Sequence, residues 1–157
     1  MRTQQYFEAK RELTSVLDTE TDYIAALANT CAILKAHLNF FWIGFYRVQP
    51  TPHTNVDELV LGPFQGSVAC TRIAYGKGVC GTAWKEEKTI RVADVHQFEG
   101  HIACSHLSNS EIVIPIRSHK TQKIIAVLDI DSIKYNDFSE QDQIELEKIA
   151  MIIANKF

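Results

Sequence analysis

One stretch of the sequence decides the fold: Phe40-Phe41-Trp42-Ile43-Gly44-Phe45-Tyr46-Arg47-Val48. Aromatic and β-branched residues dominate it, and turn-forming residues follow it, so it is predicted to be a β-strand. Side chains alternate between the two faces of a strand. The two predicted faces are Phe41, Ile43 and Phe45, and Phe40, Trp42, Gly44 and Tyr46. Because both faces are apolar, we expect this strand to lie in the centre of a sheet.

Further strands are predicted after the central one. Residues 49–57 contain two prolines and an asparagine and are predicted to form a hairpin loop, after which residues 58–64 resume as a strand. Residues 71–74 and 89–92 are predicted to be shorter strands.

Two later strands alternate regularly, over residues 111–117 and 123–131. One face of the pair is purely aliphatic, which suits packing under helices. It carries Ile112, Ile114, Ile116, Ile124, Ala126, Leu128 and Ile130. The other face runs into three carboxylates, Glu111, Asp129 and Asp131. If the strands are neighbours, these acids converge beside the Trp42 face of the central strand; the alternative is that acids at strand ends are merely solvated.

Helices are predicted at both ends of the chain. The first covers residues 4–17, and its core-facing residues are predicted to be Phe7, Leu13, Val16 and Leu17. The second is capped by Thr21. Its apolar face is predicted to be Ile24, Leu27, Cys31, Leu34 and Leu38, which makes Cys31 a core residue. The last helix is predicted to begin with a capping box formed by Ser139 and Asp142 and to end near residue 155.

These elements predict a single α+β domain over residues 1–157. Helices bracket an antiparallel sheet, with helices packed on one face and a ligand pocket on the other.

Composition narrows the function further. The chain has 157 residues, 46% of them apolar, and a net charge of −3 with a pI near 6.1, which supplies no electrostatic footprint for nucleic acid. The N-terminus has no signal-peptide core, and no stretch approaches the roughly 18 apolar residues of a membrane span. We therefore expect a cytosolic protein. In a reducing compartment, cysteines favour catalysis, redox chemistry or metal binding over structural disulfides.

Three of the four cysteines, Cys70, Cys80 and Cys104, fall within the loop-rich residues 62–111. Cys80 is placed in the first turn of a helix predicted to end near residue 87. Unpaired backbone N–H groups and the helix dipole stabilise a thiolate at that position, so a lowered pKa is expected there. The alternative is a packed thiol at the start of a helix.

A long loop over residues 93–110 carries His96, His101, Cys104 and His106. A loop of this length in a compact domain is usually functional. Zinc is a candidate ligand, but the chain has no CxxC pair and the spacings do not match a finger or a ribbon. We expect no metal.

Several segments together resemble one known family. They are residues 58–66, Ala69-Cys70, Gly76-Lys77-Gly78-Val79-Cys80-Gly81-Thr82-Ala83, Asp94-Val95-His96, Gly100-His101-Ile102-Ala103-Cys104, Ser110-Glu111-Ile112-Val113-Ile114-Pro115 and Leu128-Asp129-Ile130-Asp131-Ser132. This pattern resembles the free methionine-(R)-sulfoxide reductases, single-domain members of the GAF fold. The resemblance covers most of the chain after the second helix.

The resemblance implies a reaction and roles for the cysteines. A cysteine attacks the sulfoxide sulfur of free methionine-(R)-sulfoxide, methionine leaves, and a sulfenic acid remains. A second cysteine converts it to a disulfide, which thioredoxin reduces. The resemblance assigns the attack to Cys104 and the main resolving role to Cys70, and it implies a homodimer. The electrostatics of the helix terminus instead favour Cys80 as the nucleophile. Cys80 therefore remains the alternative nucleophile or a second resolving cysteine.

The residues themselves fit this chemistry. Three carboxyl groups can bind the ammonium of a free amino acid. One of them, kept protonated by the charge of its neighbours, can donate a proton to the departing oxygen. Backbone N–H groups near Val79 and Cys80 suit the substrate carboxylate or the sulfoxide oxygen. Trp42 and Tyr46 are expected to line the side that takes the S-methyl group. No metal or organic cofactor is required.

Two other functions are compatible with the sequence. One is a GAF sensor module that binds a cyclic nucleotide or a tetrapyrrole, but such a sensor needs an attached output domain to regulate, and we expect none here. The other is a non-catalytic thiol redox switch, which gives no reason for acids on the pocket face.

Overall fold

A computed structural model of the chain describes residues 2–100 and 106–157. Over these residues, six strands form one antiparallel sheet in the order β3-β2-β1-β6-β5-β4. The strands are β1 (Trp42–Pro50), β2 (Asp57–Gln65), β3 (Arg72–Ala74), β4 (Ile90–Val92), β5 (Ser110–Arg117) and β6 (Ile124–Ser132). The predicted central position of β1 is confirmed, because it pairs with both β2 and β6.

The helices of the described residues divide between the two faces of the sheet. They are α1 (Arg2–Leu17), α2 (Tyr23–Leu38), α3 (Gly78–Glu86) and α4 (Glu140–Ala154). Helices α1, α2 and α4 share one apolar core with the aliphatic face of the sheet, as predicted. Helix α3 packs on the opposite face in a second, smaller apolar cluster. The predicted α+β fold, with helices on one face of the sheet and a pocket on the other, is confirmed, and α3 adds a wall to the pocket side.

The helix caps and core faces were predicted in part. The capping box of Ser139 and Asp142 at the start of α4 is confirmed. Helix α2, however, is capped by Asp22, whose side chain accepts a hydrogen bond from the Ala25 N–H at 2.8 Å, and not by Thr21. A carboxylate is an equally good N-cap acceptor, and it also interacts favourably with the helix dipole. Ile24 consequently lies in the exposed first turn of the helix.

The core face of helix α1 was predicted in part: Leu13 and Leu17 are buried as predicted, but Phe7 and Val16 are not. Phe7 is 57% exposed and Val16 is also exposed, whereas the buried residues are Tyr6, Ala9, Leu13 and Leu17. Tyr6 is placed inside by a tertiary contact, since its hydroxyl donates a hydrogen bond to Asp142 Oδ1 at 3.0 Å.

Two alternation patterns begin later than predicted. Strand β1 begins at Trp42, so Phe40 is free to pack with Phe138 in the helix-side core and Phe41 lies against the pocket-side cluster. The pairing of β5 with β6 shifts register between Ile116 and Arg117. Ile124 therefore joins the pocket-side cluster instead of the aliphatic face.

The loop predicted over residues 93–110 is only partly irregular. It contains a 3-10 helix, Val95–Gln97, capped by Asp94, and strand β5 begins at Ser110. No helix among the described residues has the length and apolar content needed to cross a bilayer.

Gly44 on the central strand leaves room for an aromatic stack. A Cβ atom at this position would lie 2.6 Å from Phe64 Cβ and would also collide with the Trp42 ring. We expect Gly44→Ala to lower the free energy of unfolding by about 1–3 kcal/mol, because overpacking forces side chains or backbone to shift. Urea unfolding measures this change. Val56→Ala, at a 62% exposed position, serves as the control and should stay within about 0.5 kcal/mol of the parent.

Candidate active site

The sheet register brings three carboxyl groups together on the pocket face. Glu111 of β5 lies opposite Asp131 of β6, and Asp131 in turn lies opposite Trp42 of β1. Asp129, two residues before Asp131, points to the same face and lies opposite Gly44. The predicted convergence of the three acids beside the central strand is therefore confirmed. Glu111 and Asp129 are buried, so the alternative of merely solvated acids is wrong for these two.

Helix α3 faces these acids across the pocket. Gly78 begins the helix with a φ of +60°, and Val79 and Cys80 follow it in the first turn, buried. The N-cap residue, Lys77, makes no side-chain capping hydrogen bond. The first backbone N–H groups of a helix have no partner within the helix. The N-terminus of α3 therefore offers N–H groups to a ligand in the cavity.

Aromatic rings form the third side of the pocket. The ring of Trp42 stacks on Phe64 at a centroid distance of 5.5 Å and lies 6.3 Å from the ring of Tyr46. Both polar atoms of this pair bind the loop that carries Cys70. Trp42 Nε1 donates to the Ser67 carbonyl at 2.9 Å, and the Tyr46 hydroxyl donates to the Cys70 carbonyl at 3.0 Å. The aromatic wall thus fixes the backbone of this loop.

These elements enclose one cavity. Its lining contains seven residues singled out from the sequence: Trp42, Tyr46, Val79, Cys80, Glu111, Asp129 and Asp131. Cys70 is not in the lining, but its neighbour Ala69 is. Cys104 lies outside the described residues, as does His101.

Six further lining residues are not indicated by the sequence patterns. They are Ser67, Val68, Ala69, Ile73, Gly78 and Ser108. Four of these directly precede Cys70 or Val79 in the sequence. Their position next to a predicted site residue was the only sign that they would line the cavity. Ser108 is buried at 3% exposure in the approach to β5, and nothing in its local sequence indicates this.

Burial and mutual repulsion control the charge of the acids. Burial raises the pKa of Glu111 well above its usual value, and the neighbouring Asp131 carboxylate raises it further. Burial likewise raises the pKa of Asp129, with added repulsion from Glu111 and Asp131. Asp129 Oδ1 is buried without a hydrogen-bond partner among the described residues. Burial and mutual repulsion therefore favour the protonated forms of these two carboxyls, and Asp129 presents to the cavity an oxygen without a donor among the described residues.

The expected low pKa of Cys80 is wrong. Burial raises the pKa of this thiol well above its usual value, and the adjacent Asp129 and Glu111 carboxyls raise it further. The helix terminus is present as predicted, but its dipole is outweighed by full burial next to two acids. The packed-thiol interpretation is the one that the structure favours.

The other described cysteines differ in state. Cys70 is disulfide-bonded, whereas Cys31 and Cys80 carry free thiols. The predicted core position of Cys31 is confirmed: it is 1% exposed, and its thiol donates to the Pro63 carbonyl at 3.3 Å. Burial raises the pKa of Cys31 to about 12, so this thiol is unreactive at neutral pH.

Two of the three histidines that raised the question of zinc, His96 and His106, do not line the cavity. His96 is exposed, and its Nε2 lies 3.1 Å from Asn109 Oδ1, while His106 is also exposed. Neither lines the pocket. Within the described residues, the group with the atoms and spacing of metal ligands is instead Cys80, Glu111 and Asp129.

Comparison with known proteins identifies the family. The model of the GAF domain matches residues 12–157. The GAF domain-containing protein A of Dictyostelium discoideum is 50% identical over 154 residues, 98% of this chain and 93% of that protein. The free methionine-R-sulfoxide reductase of Escherichia coli is 44% identical over 149 residues, 94% of this chain and 86% of that protein.

A solved structure agrees with these sequence relatives. The X-ray structure of the free methionine-R-sulfoxide reductase of Neisseria meningitidis in complex with its substrate is 48% identical, with a TM-score of 0.90 over 97% of this chain and 87% of that chain. The chain therefore belongs to the GAF domain family and, within it, to the free methionine-R-sulfoxide reductases.

Proposed function

We propose that this protein reduces free methionine-(R)-sulfoxide to methionine. One observation carries the proposal: buried carboxyl groups and a helix N-terminus face each other across a single cavity. A free amino acid is a zwitterion, so its ammonium and its carboxylate need partners of opposite charge on two sides. The cavity offers both, and the relatives named above support methionine sulfoxide as the amino acid.

The acidic side suits the substrate ammonium. Asp129 Oδ1, which lacks a donor among the described residues, gains one when an ammonium enters. An ionised carboxylate in a buried site binds a cation more strongly than in water, because the local dielectric constant is low. Glu111 and Asp131 complete this side. Peptide-bound methionine sulfoxide has no free ammonium at this position, so the arrangement favours the free amino acid.

The helix side suits the substrate carboxylate or the sulfoxide oxygen. N–H groups at the start of α3, near Val79 and Cys80, form the anion-binding arrangement of a helix N-terminus. The aromatic side, Trp42 and Tyr46, takes the S-methyl group, and a ring face tolerates the positive charge that develops on sulfur.

The redox chemistry needs a nucleophilic thiol, a proton donor and a second thiol. In our proposal the Cys104 sulfur attacks the sulfoxide sulfur, and a carboxyl proton of the Glu111 and Asp129 pair passes to the departing oxygen. The hydroxyl group then moves from the methionine sulfur to the Cys104 sulfur as the new sulfur–sulfur bond breaks, so that methionine leaves and Cys104 carries the oxygen as a sulfenic acid. The Cys70 thiol then attacks this sulfur, water departs, and a Cys70–Cys104 disulfide forms.

Two features of the cysteines support these roles. Cys70 is disulfide-bonded while Cys80 is a free thiol, which fits Cys70 as the main resolver. The raised pKa of Cys80 makes it a poor nucleophile at neutral pH, so the attacking role stays with Cys104.

We also propose a reductant, an oligomeric state and a cellular compartment for this enzyme. A thioredoxin dithiol reduces the disulfide and restores both cysteines, so the dithiol of the protein is its only redox group and no metal or organic cofactor takes part. This chemistry suits a homodimeric enzyme of the reducing cytosol, where it recovers oxidised free methionine.

Racemic free methionine sulfoxide is the substrate that tests the proposal. We expect incubation with the protein, thioredoxin, thioredoxin reductase and NADPH to consume the R epimer, leave the S epimer, and produce an equal amount of methionine, as measured by chiral chromatography. A methionine-sulfoxide peptide should not be reduced. Reduction of the peptide, or tight binding of a cyclic nucleotide without sulfoxide turnover, would contradict the proposal.

A further inference from the structure

One cluster in the cavity has the composition of a metal site. The Cys80 Sγ, a carboxylate oxygen of Glu111 and a carboxylate oxygen of Asp129 all lie within 4.8 Å of one another. They come from three different elements, helix α3, strand β5 and strand β6. Each of the three residues is at least nine-tenths buried, at 4%, 6% and 6% exposure. The cluster is therefore held by the packed core and not by mobile surface side chains.

A second observation points to a ligand at this cluster. Asp129 Oδ1 lacks a hydrogen-bond partner among the described residues although it is buried. Leaving such an oxygen without a donor costs about 1–3 kcal/mol, more if it is charged. Asp129 also lines the cavity together with Cys80 and Glu111. The Asp129 carboxyl also hydrogen-bonds with the Cys80 thiol and the Glu111 carboxyl, so a cation placed between the three side chains would replace the protons they share and would satisfy Oδ1.

The donor set selects the kind of cation. Zinc binds sulfur at about 2.3 Å and carboxylate oxygen at about 2.1 Å, so neighbouring ligand atoms of a tetrahedral site lie about 3.5 Å apart. Shifts on the order of 1 Å close the cluster to that spacing. Magnesium and calcium prefer oxygen ligands alone, whereas a thiolate ligand favours softer ions. Three protein ligands leave the fourth zinc position open, as in sites that exchange their ligands.

We propose that the reduced protein binds one zinc ion through Cys80, Glu111 and Asp129. The bound ion occupies the position of the substrate ammonium beside Asp129, so zinc and substrate exclude each other. Zinc is here a reversible inhibitor and not a cofactor. The binding itself does not depend on the proposed reductase activity, and it is tested without turnover.

Cobalt(II) makes the thiolate ligand visible. A Cys70→Ser, Cys104→Ser protein retains Cys31 and Cys80, and anaerobic titration with Co²⁺ should give a sulfur-to-cobalt charge-transfer band in the near ultraviolet at one equivalent. Zn²⁺ should abolish the band, whereas a large excess of Mg²⁺ should not. Adding Cys80→Ser should remove the band, and adding Cys31→Ser, the matched control, should keep it.

Asp129→Asn separates the proposed site from adventitious binding and preserves the shape of the side chain. Its Zn²⁺ affinity, measured by competition with a chromophoric chelator, should fall by at least about tenfold, because one of three ligands becomes neutral. Near-ultraviolet circular dichroism confirms that each variant is folded. The proposal is overturned if no band forms, if the band survives Cys80→Ser, or if Asp129→Asn binds Zn²⁺ as tightly as its parent.

Discussion

Cys104→Ser is expected to abolish methionine formation, including the single turnover that one equivalent of reduced protein performs without an external reductant. Removing the attacking sulfur eliminates the covalent route, and rates should fall at least about a thousandfold. The measurement is methionine released per protein in a rapid-quench experiment with excess free sulfoxide. Cys31→Ser, at a buried thiol away from the cavity, is the matched control and should release methionine at the parental level.

Cys70→Ser should behave differently. It should release one equivalent of methionine and then stop with thioredoxin, because the sulfenic acid cannot become the disulfide that thioredoxin attacks. A sulfenic-acid probe should label this variant and not the parent. Release of one full equivalent by Cys104→Ser would instead move the nucleophilic role to Cys80, against the raised pKa of that thiol.

Glu111→Gln is expected to lower turnover of the free sulfoxide by about 100-fold or more. The substitution removes a carboxyl group from the ammonium side of the cavity and, with it, a proton donor for the departing oxygen. Steady-state kinetics with free methionine-(R)-sulfoxide measure the loss. A simple thiol switch would still form its disulfide with peroxide at the normal rate and would show no such dependence. Glu99→Gln, the same chemical change at an exposed position, should turn over normally.

The same substitution should change how stability depends on pH. Burial raises the pKa of Glu111 above its unfolded value, so the folded protein binds more protons than the unfolded chain between those two pKa values. The free energy of unfolding therefore falls as pH rises through this window. We expect Glu111→Gln to reduce the fall between pH 5 and pH 8 and to be more stable than the parent at pH 8, as measured by urea unfolding. An unchanged slope would show that Glu111 is ionised in the folded protein.

The acidic wall was predictable because strand periodicity is strict. Every second residue of β6 faces the same way, so Asp129 and Asp131 had to share a face, and the pairing of Glu111 with Asp131 requires only that β5 and β6 be neighbours. The aromatic face of β1 followed from the same rule. Local patterns thus place a side chain on a face wherever the strand is regular.

Where periodicity failed to predict the position or the pKa of a side chain, the cause lies in tertiary structure. Phe40 and Ile124 lie at a strand start and at a register shift, where alternation no longer applies. Phe7 is displaced from the core by Tyr6, which finds Asp142 on a helix 136 residues away. The pKa of Cys80 reversed direction for the same reason: its own helix terminus is visible in the sequence, but the acids that surround it come from β5 and β6.

The aromatic wall has a consequence for how this pocket can diversify. Trp42 and Tyr46 line the cavity, and through the Ser67 and Cys70 carbonyls they also tether the segment that carries Cys70, the resolving cysteine of our proposal. A replacement that reshapes the pocket for a bulkier sulfoxide would also release that tether and slow recycling. Adaptation to a new substrate therefore requires compensating changes in two places at once, which restricts the evolutionary freedom of these two rings.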